Sequence, residues 1–216
     1  MLSAKEVKPL LNELNRKLQY FFGHDLSFDQ YSLQYILRSS GETSQTITNN
    51  SEVVANKLFD KYWVYCMLKF EPMENKKANN VNVFFSLILF YGEYDSLSKQ
   101  HILRAEWDNY KNTCAKHPQP HWHFYMNNNT LEQMDFFKPQ DISEDANNFM
   151  SSIGPTQLSH KAFEQMHFAM REEWSDGENH IHTAKDKDKL ISWVQGLLKH
   201  LNDQLKYIDG KTCTND

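Results

Sequence analysis

An α+β fold, built as a single domain, follows from three features of the 216-residue sequence. Two runs, Tyr62 to Phe70 (YWVYCMLKF) and Val81 to Tyr91 (VNVFFSLILFY), are rich in β-branched and aromatic residues and flank the polar connection ENKKANN, which is the pattern of a hairpin. Apolar stripes at helical spacing lie near both chain ends, at Leu11, Leu14, Leu18 and Phe21 and at Leu190, Val194, Leu197, Leu201 and Leu205. The remaining strand candidates follow through short connections, and sequential strands usually pair. An antiparallel meander of about four or more strands, flanked by N-terminal and C-terminal helices, accommodates all three features.

Taken in order, the first helix is expected to start near Pro9, which suits a first helical turn, and to stop at Gly23. From Leu26 to Leu37 neither helical nor strand periodicity is clean, and SSGETSQTITNNS reads as a loop. Ser51 is expected to cap a short helix through Phe59. The second long strand is apolar on both faces and therefore central. A third strand, His101 to Asp108, alternates His101, Leu103, Ala105 and Trp107 against Ile102, Arg104, Glu106 and Asp108. A fourth is HWHFYM, with His121, His123 and Tyr125 on one face and Trp122, Phe124 and Met126 on the other. Beyond it, SHKAFEQMHFAMREEW is predicted to be helical on the stripe Phe163, Met166, Met170 and Trp174, and the last helix is placed from about Asp188 to Ile208. The expected layout is thus a helical part over 1–61, a sheet over 62–126 and a second helical part over 127–216. Paired asparagines, in a chain with only seven glycines, are expected to serve many of the turns.

Composition narrows the function classes. Lysine and arginine total 23 against 28 acidic residues, a net charge of −5 without any basic block, which leaves nucleic acid only a local groove. Cys66, Cys114 and Cys213 are odd in number and form no CxxC pair, so neither a disulfide framework nor a thiolate zinc site is indicated. No apolar run approaches the roughly eighteen residues of a membrane helix, and MLSAKEVKPLL lacks a signal-peptide core. A soluble cytoplasmic protein without a membrane partner is expected.

The chemistry-bearing segment is HPQPHWHFYM. His121 and His123, at i and i+2, can direct ring nitrogens at one metal, while His117 precedes two prolines and falls outside the strand. If the third and fourth strands are neighbours, their polar faces meet. Asp108 is then the expected third ligand, with Glu106 as base and Arg104 facing a phosphate or developing oxyanion. The metal would be divalent: Mn, Mg or Zn. His160, Glu164, His167 and Arg171 form one polar stripe on the predicted helix, from which His167 would serve as an alternative base or a further ligand. A half-exposed amphipathic strand and an ordinary salt-bridged stripe account for the same two patterns without a site. His180 and His182 lie in a charged loop, and Cys114 is assigned no role.

His121-Trp122-His123 resembles the His-hydrophobic-His strand of the HUH endonucleases of plasmid replication and transposition. That resemblance implies a divalent metal held by the two histidines and an attacking tyrosine on a later helix, where this chain offers Tyr207. Arg104-Ala-Glu-Trp-Asp108-Asn109 followed by His117-Pro-Gln-Pro-His121-Trp-His123 is similar in order to small bacterial toxin families of toxin–antitoxin loci. It implies a conflict or defence setting. Two functions are compatible with these residues: a metal-dependent phosphodiesterase or nuclease-like enzyme, and a non-enzymatic module that docks a protein partner through aromatic surfaces.

Overall fold

The computed structural model describes residues 2–48, 51–73, 79–108, 119–125, 168–169 and 186–208. The leucine stripe near the chain start forms helix α1 (Val7–Phe22), burying Leu10, Leu11, Leu14 and Leu18. Pro9 falls in its first turn, and Gly23 ends it in the left-handed region at φ 66°, where glycine has no Cβ to clash. Helix α2 (Lys187–Ile208) buries Leu190, Val194, Leu197, Leu201 and Leu205. Its start is capped by Asp186, whose Oδ1 accepts the Asp188 N–H at 2.9 Å, satisfying a donor that the helix itself leaves unpaired.

A nine-stranded antiparallel sheet holds most of the remaining described residues. Its strands are β1 (Leu26–Tyr31), β2 (Gln34–Ser39), β3 (Thr43–Thr48), β4 (Ser51–Phe59), β5 (Tyr62–Pro72), β6 (Val81–Tyr91), β7 (Gln100–Asp108), β8 (His121–Phe124) and β9 (Phe168–Ala169). The path runs β1-β2-β5-β6-β7-β8-β9, with β3 and β4 joined to it through β5. One face meets α1 and α2 in the main core, where Phe85 and Trp107 make edge contacts with Trp193 of α2. The opposite face carries a second apolar cluster of Ala55, Trp63, Ile88 and Phe90. β6, central in the sheet, contributes to both clusters, which explains its lack of a polar face.

Three expectations are corrected. The polar stretch after Ser39 contains strand β3, and Ser51–Phe59 is strand β4 rather than a helix, so the sheet begins well inside the part expected to be helical. Within the predicted helix before the last one, Phe168–Ala169 instead pair antiparallel with His121–Trp122, supplying partners to the outer edge of β8. Among the described residues, Ser32 (φ 57°) and Asp60 (φ 41°) take left-handed turn positions; of the asparagine pairs only Asn79 and Asn80 are described, and they bond the N-terminal segment at Ala4 and Ser3, the other pairs lying outside the described residues.

β2 and β4 share one edge of β5: Gln34–Ile36 pair with its far half and Asn56–Phe59 with its near half. Between them the sheet forks. Fully buried Asn56 fills the branch, its Oδ1 accepting the Ser39 N–H at 2.9 Å and its Nδ2 donating to Leu37 O at 3.0 Å and Val64 O at 3.5 Å.

A second polar knot ties β3 to the segment before β7. The buried Lys99 ammonium donates to Ser44 Oγ and Ser96 O, both at 2.5 Å, to Gln45 O at 3.1 Å and to Tyr94 O at 3.3 Å, and it lies 5.2 Å from the centre of the Trp63 ring. Burial pushes the Lys99 ammonium below its usual range, while the surrounding carbonyl oxygens accept from its charged form. Lys99→Met should cost about 2–4 kcal/mol by stranding buried carbonyls, lowering Tm by roughly 5–15 °C in a chain of this length. Thermal unfolding by circular dichroism checks it; an unchanged midpoint would show that the knot contributes nothing.

Candidate metal centre

The alternation of β7 sends Leu103, Ala105 and Trp107 into the main core and Arg104, Glu106 and Asp108 to the other face. On β8, Trp122 and Phe124 pack against that same core, so His121 and His123 face away from it. The two strands pair antiparallel with Glu106 opposite His121 and Arg104 opposite His123. Directly opposed residues of neighbouring strands share a face at close range. Two pairings thus gather one carboxylate, one guanidinium and two imidazoles.

The three donors are tightly grouped. His121 Nε2 and His123 Nε2 lie 2.9 Å apart, and both approach Glu106 Oε2, from 3.4 Å and 3.2 Å respectively. For ligands about 2.0–2.1 Å from a shared ion, tetrahedral and octahedral angles put neighbouring donors roughly 2.9–3.4 Å apart. The observed triangle spans that range. Glu106, His121 and His123 can therefore hold one metal ion, and their ligand atoms all fall within 4.8 Å of one another. The same contacts can be made as hydrogen bonds, with donor and acceptor set by the imidazole tautomers; with both Nε2 atoms unprotonated, two lone pairs would converge on one point instead.

Burial shapes the electrostatics. His121 and His123 are 1% and 3% exposed, the Glu106 side chain 13% and that of Arg104 23%, so the cluster meets solvent on the side of the charged pair. Burial pushes the Glu106 carboxyl upward, but hydrogen bonds from His121 and His123 and the charge of Arg104 outweigh it. The acid is held well below the usual carboxylate range. Glu106 is thus ionised at neutral pH, as a ligand must be.

Of the residues expected in the site, Glu106, Arg104, His121 and His123 come together, with Glu106 as the carboxylate that closes on the imidazoles. Asp108 lies two residues further along the same face and is not a member of the donor triangle. Its backbone N–H donates to Oε1 of buried Gln119 at 2.7 Å, a contact that fixes the approach to β8 and that no spacing rule signals. His117, Cys114, Cys213, His160, Glu164, His167, Arg171, His180 and His182 lie outside the described residues, as does the metal or base role expected of His167. Cys66 is buried in the main core, where desolvation pushes its thiol far up and leaves it unreactive. Among the described residues no helix is long and apolar enough to cross a membrane. Compared with models of known families, with curated proteins and with solved structures, the chain shows no significant match.

Proposed function

We propose that this protein is a metal-dependent phosphodiesterase, nuclease-like in its choice of substrate, with Glu106, His121 and His123 as the ligands of one divalent ion. The observation that carries this reading is the donor triangle, with edges of 2.9, 3.2 and 3.4 Å. Three protein ligands leave positions for water and substrate, the arrangement of a catalytic rather than a structural site. A bound divalent ion polarises a phosphoryl oxygen and brings the pKa of its water toward neutrality. Asp108, outside the triangle on the same face, is the assigned base, and Arg104 the assigned partner of a non-bridging phosphate oxygen. Imidazole and carboxylate donors suit Zn and Mn better than Mg, which prefers oxygen ligands. A setting in conflict or defence is drawn from the order of residues 104–123 alone.

Hydrolysis of bis(4-nitrophenyl) phosphate by metal-loaded protein tests the proposal. His121→Ala, His123→Ala and Glu106→Gln should abolish turnover, and Asp108→Asn should lower kcat by about 10²–10⁴-fold, the usual contribution of a general base. Hydrolysis that is indifferent to chelator, or equal in the histidine variants, would refute it. A partner that co-purifies with wild type and with His121→Ala alike, in the absence of any hydrolysis, would favour protein docking instead.

A further inference from the structure

The two oxygens of Glu106 are divided between different neighbours. Arg104 approaches Oε1, with Nε at 3.2 Å, whereas both imidazole nitrogens approach Oε2. A carboxylate can bind a divalent ion through one oxygen or through both, and a charge-assisted contact on one oxygen biases the choice. Both side chains are largely buried, at 23% exposure for Arg104 and 13% for Glu106. Their strand positions are also set, because Glu106 stands opposite His121 and Arg104 opposite His123.

Building on the metal-site reading above, we infer that Arg104, beyond its contact with the phosphate, also positions Glu106, restricting it to one-oxygen ligation and so keeping a coordination position open for water or substrate. Affinity alone does not explain a cation at this place. Its charge repels a divalent ion, while its ionic contact with Oε1, made through Nε at 3.2 Å without hydrogen-bond geometry, draws that oxygen toward the guanidinium and away from the imidazoles. Without Arg104 the second oxygen is released to the metal, the coordination number rises and the open position closes.

Co²⁺ titrated into the metal-stripped full chain reports this directly, because its visible absorption is strong at four-coordinate sites and falls as ligands are added. Compared at equal cobalt occupancy, Arg104→Met should lose intensity relative to wild type. Arg104→Lys, which keeps the charge but not the guanidinium's reach to Oε1, should lose less, and it carries the test if the methionine variant does not fold. Cobalt uptake with spectra superimposable on wild type in either variant would overturn the role of Arg104 and leave the metal reading standing. Failure of wild type to take up Co²⁺ at all would overturn both.

Discussion

Protein purified without a histidine tag, stripped with chelator and titrated with Zn²⁺ or Mn²⁺ will take up one ion per chain, and its thermal midpoint will rise. The expectation rests on Glu106, His121 and His123, whose donor atoms already stand at the separations of a coordination polyhedron. A ligand that binds only the folded state stabilises it by mass action, about 2.7 kcal/mol at a free concentration a hundred times Kd. For a chain of this length that corresponds to a rise of roughly 5–10 °C. His121→Ala and His123→Ala should each weaken binding by more than about 100-fold, beyond the range seen when only groups behind the ligands are changed. Mass spectrometry under native conditions supplies the stoichiometry and calorimetry the midpoint. A wild-type midpoint indifferent to every divalent ion tried would dispose of the metal centre.

Replacing Asn56 by leucine will produce one of the largest losses of stability available from a single side chain outside the apolar core. Leucine matches its size but neither accepts from the Ser39 N–H nor donates to Leu37 O and Val64 O, the groups Asn56 satisfies where β2 and β4 part. Each buried backbone group left without a partner costs about 1–3 kcal/mol, so a total of about 3–5 kcal/mol is expected. Asn56→Asp should fare no better, since it keeps the acceptor, loses the donor and buries a charge. Urea unfolding followed by tryptophan fluorescence gives both values. A leucine variant within about 1 kcal/mol of wild type would mean that the fork closes by other contacts.

Strands β5 to β8 were legible because their residues alternate or run apolar as buried strands do, and both helices because leucines recur at their period. β3 and β4 were not. The inward positions of β3 are Ser44, Thr46 and Thr48, the first two bonding Tyr94 O and Leu97 O through their hydroxyls, so the strand buries polar groups and offers no hydrophobic alternation to detect. β4 is uneven for a related reason, with Asn56 buried in its middle. In the site, the face shared by His121 and His123 could be read from their spacing. Which carboxylate reaches them could not, because Glu106 and Asp108 lie on one face and only the cross-strand register, Glu106 against His121, separates them.

That register also makes the donor set an internal gauge of correct assembly. Side chains of a strand alternate between faces, so a slip of β8 by one residue would carry both imidazoles to the side where Trp122 and Phe124 now meet the main core. A slip of two would keep the face but move each histidine one pair away from its present neighbour. Metal content measured after refolding would therefore count the molecules whose seventh and eighth strands have docked in the right frame, a property that far-ultraviolet spectra, blind to strand offset, do not report.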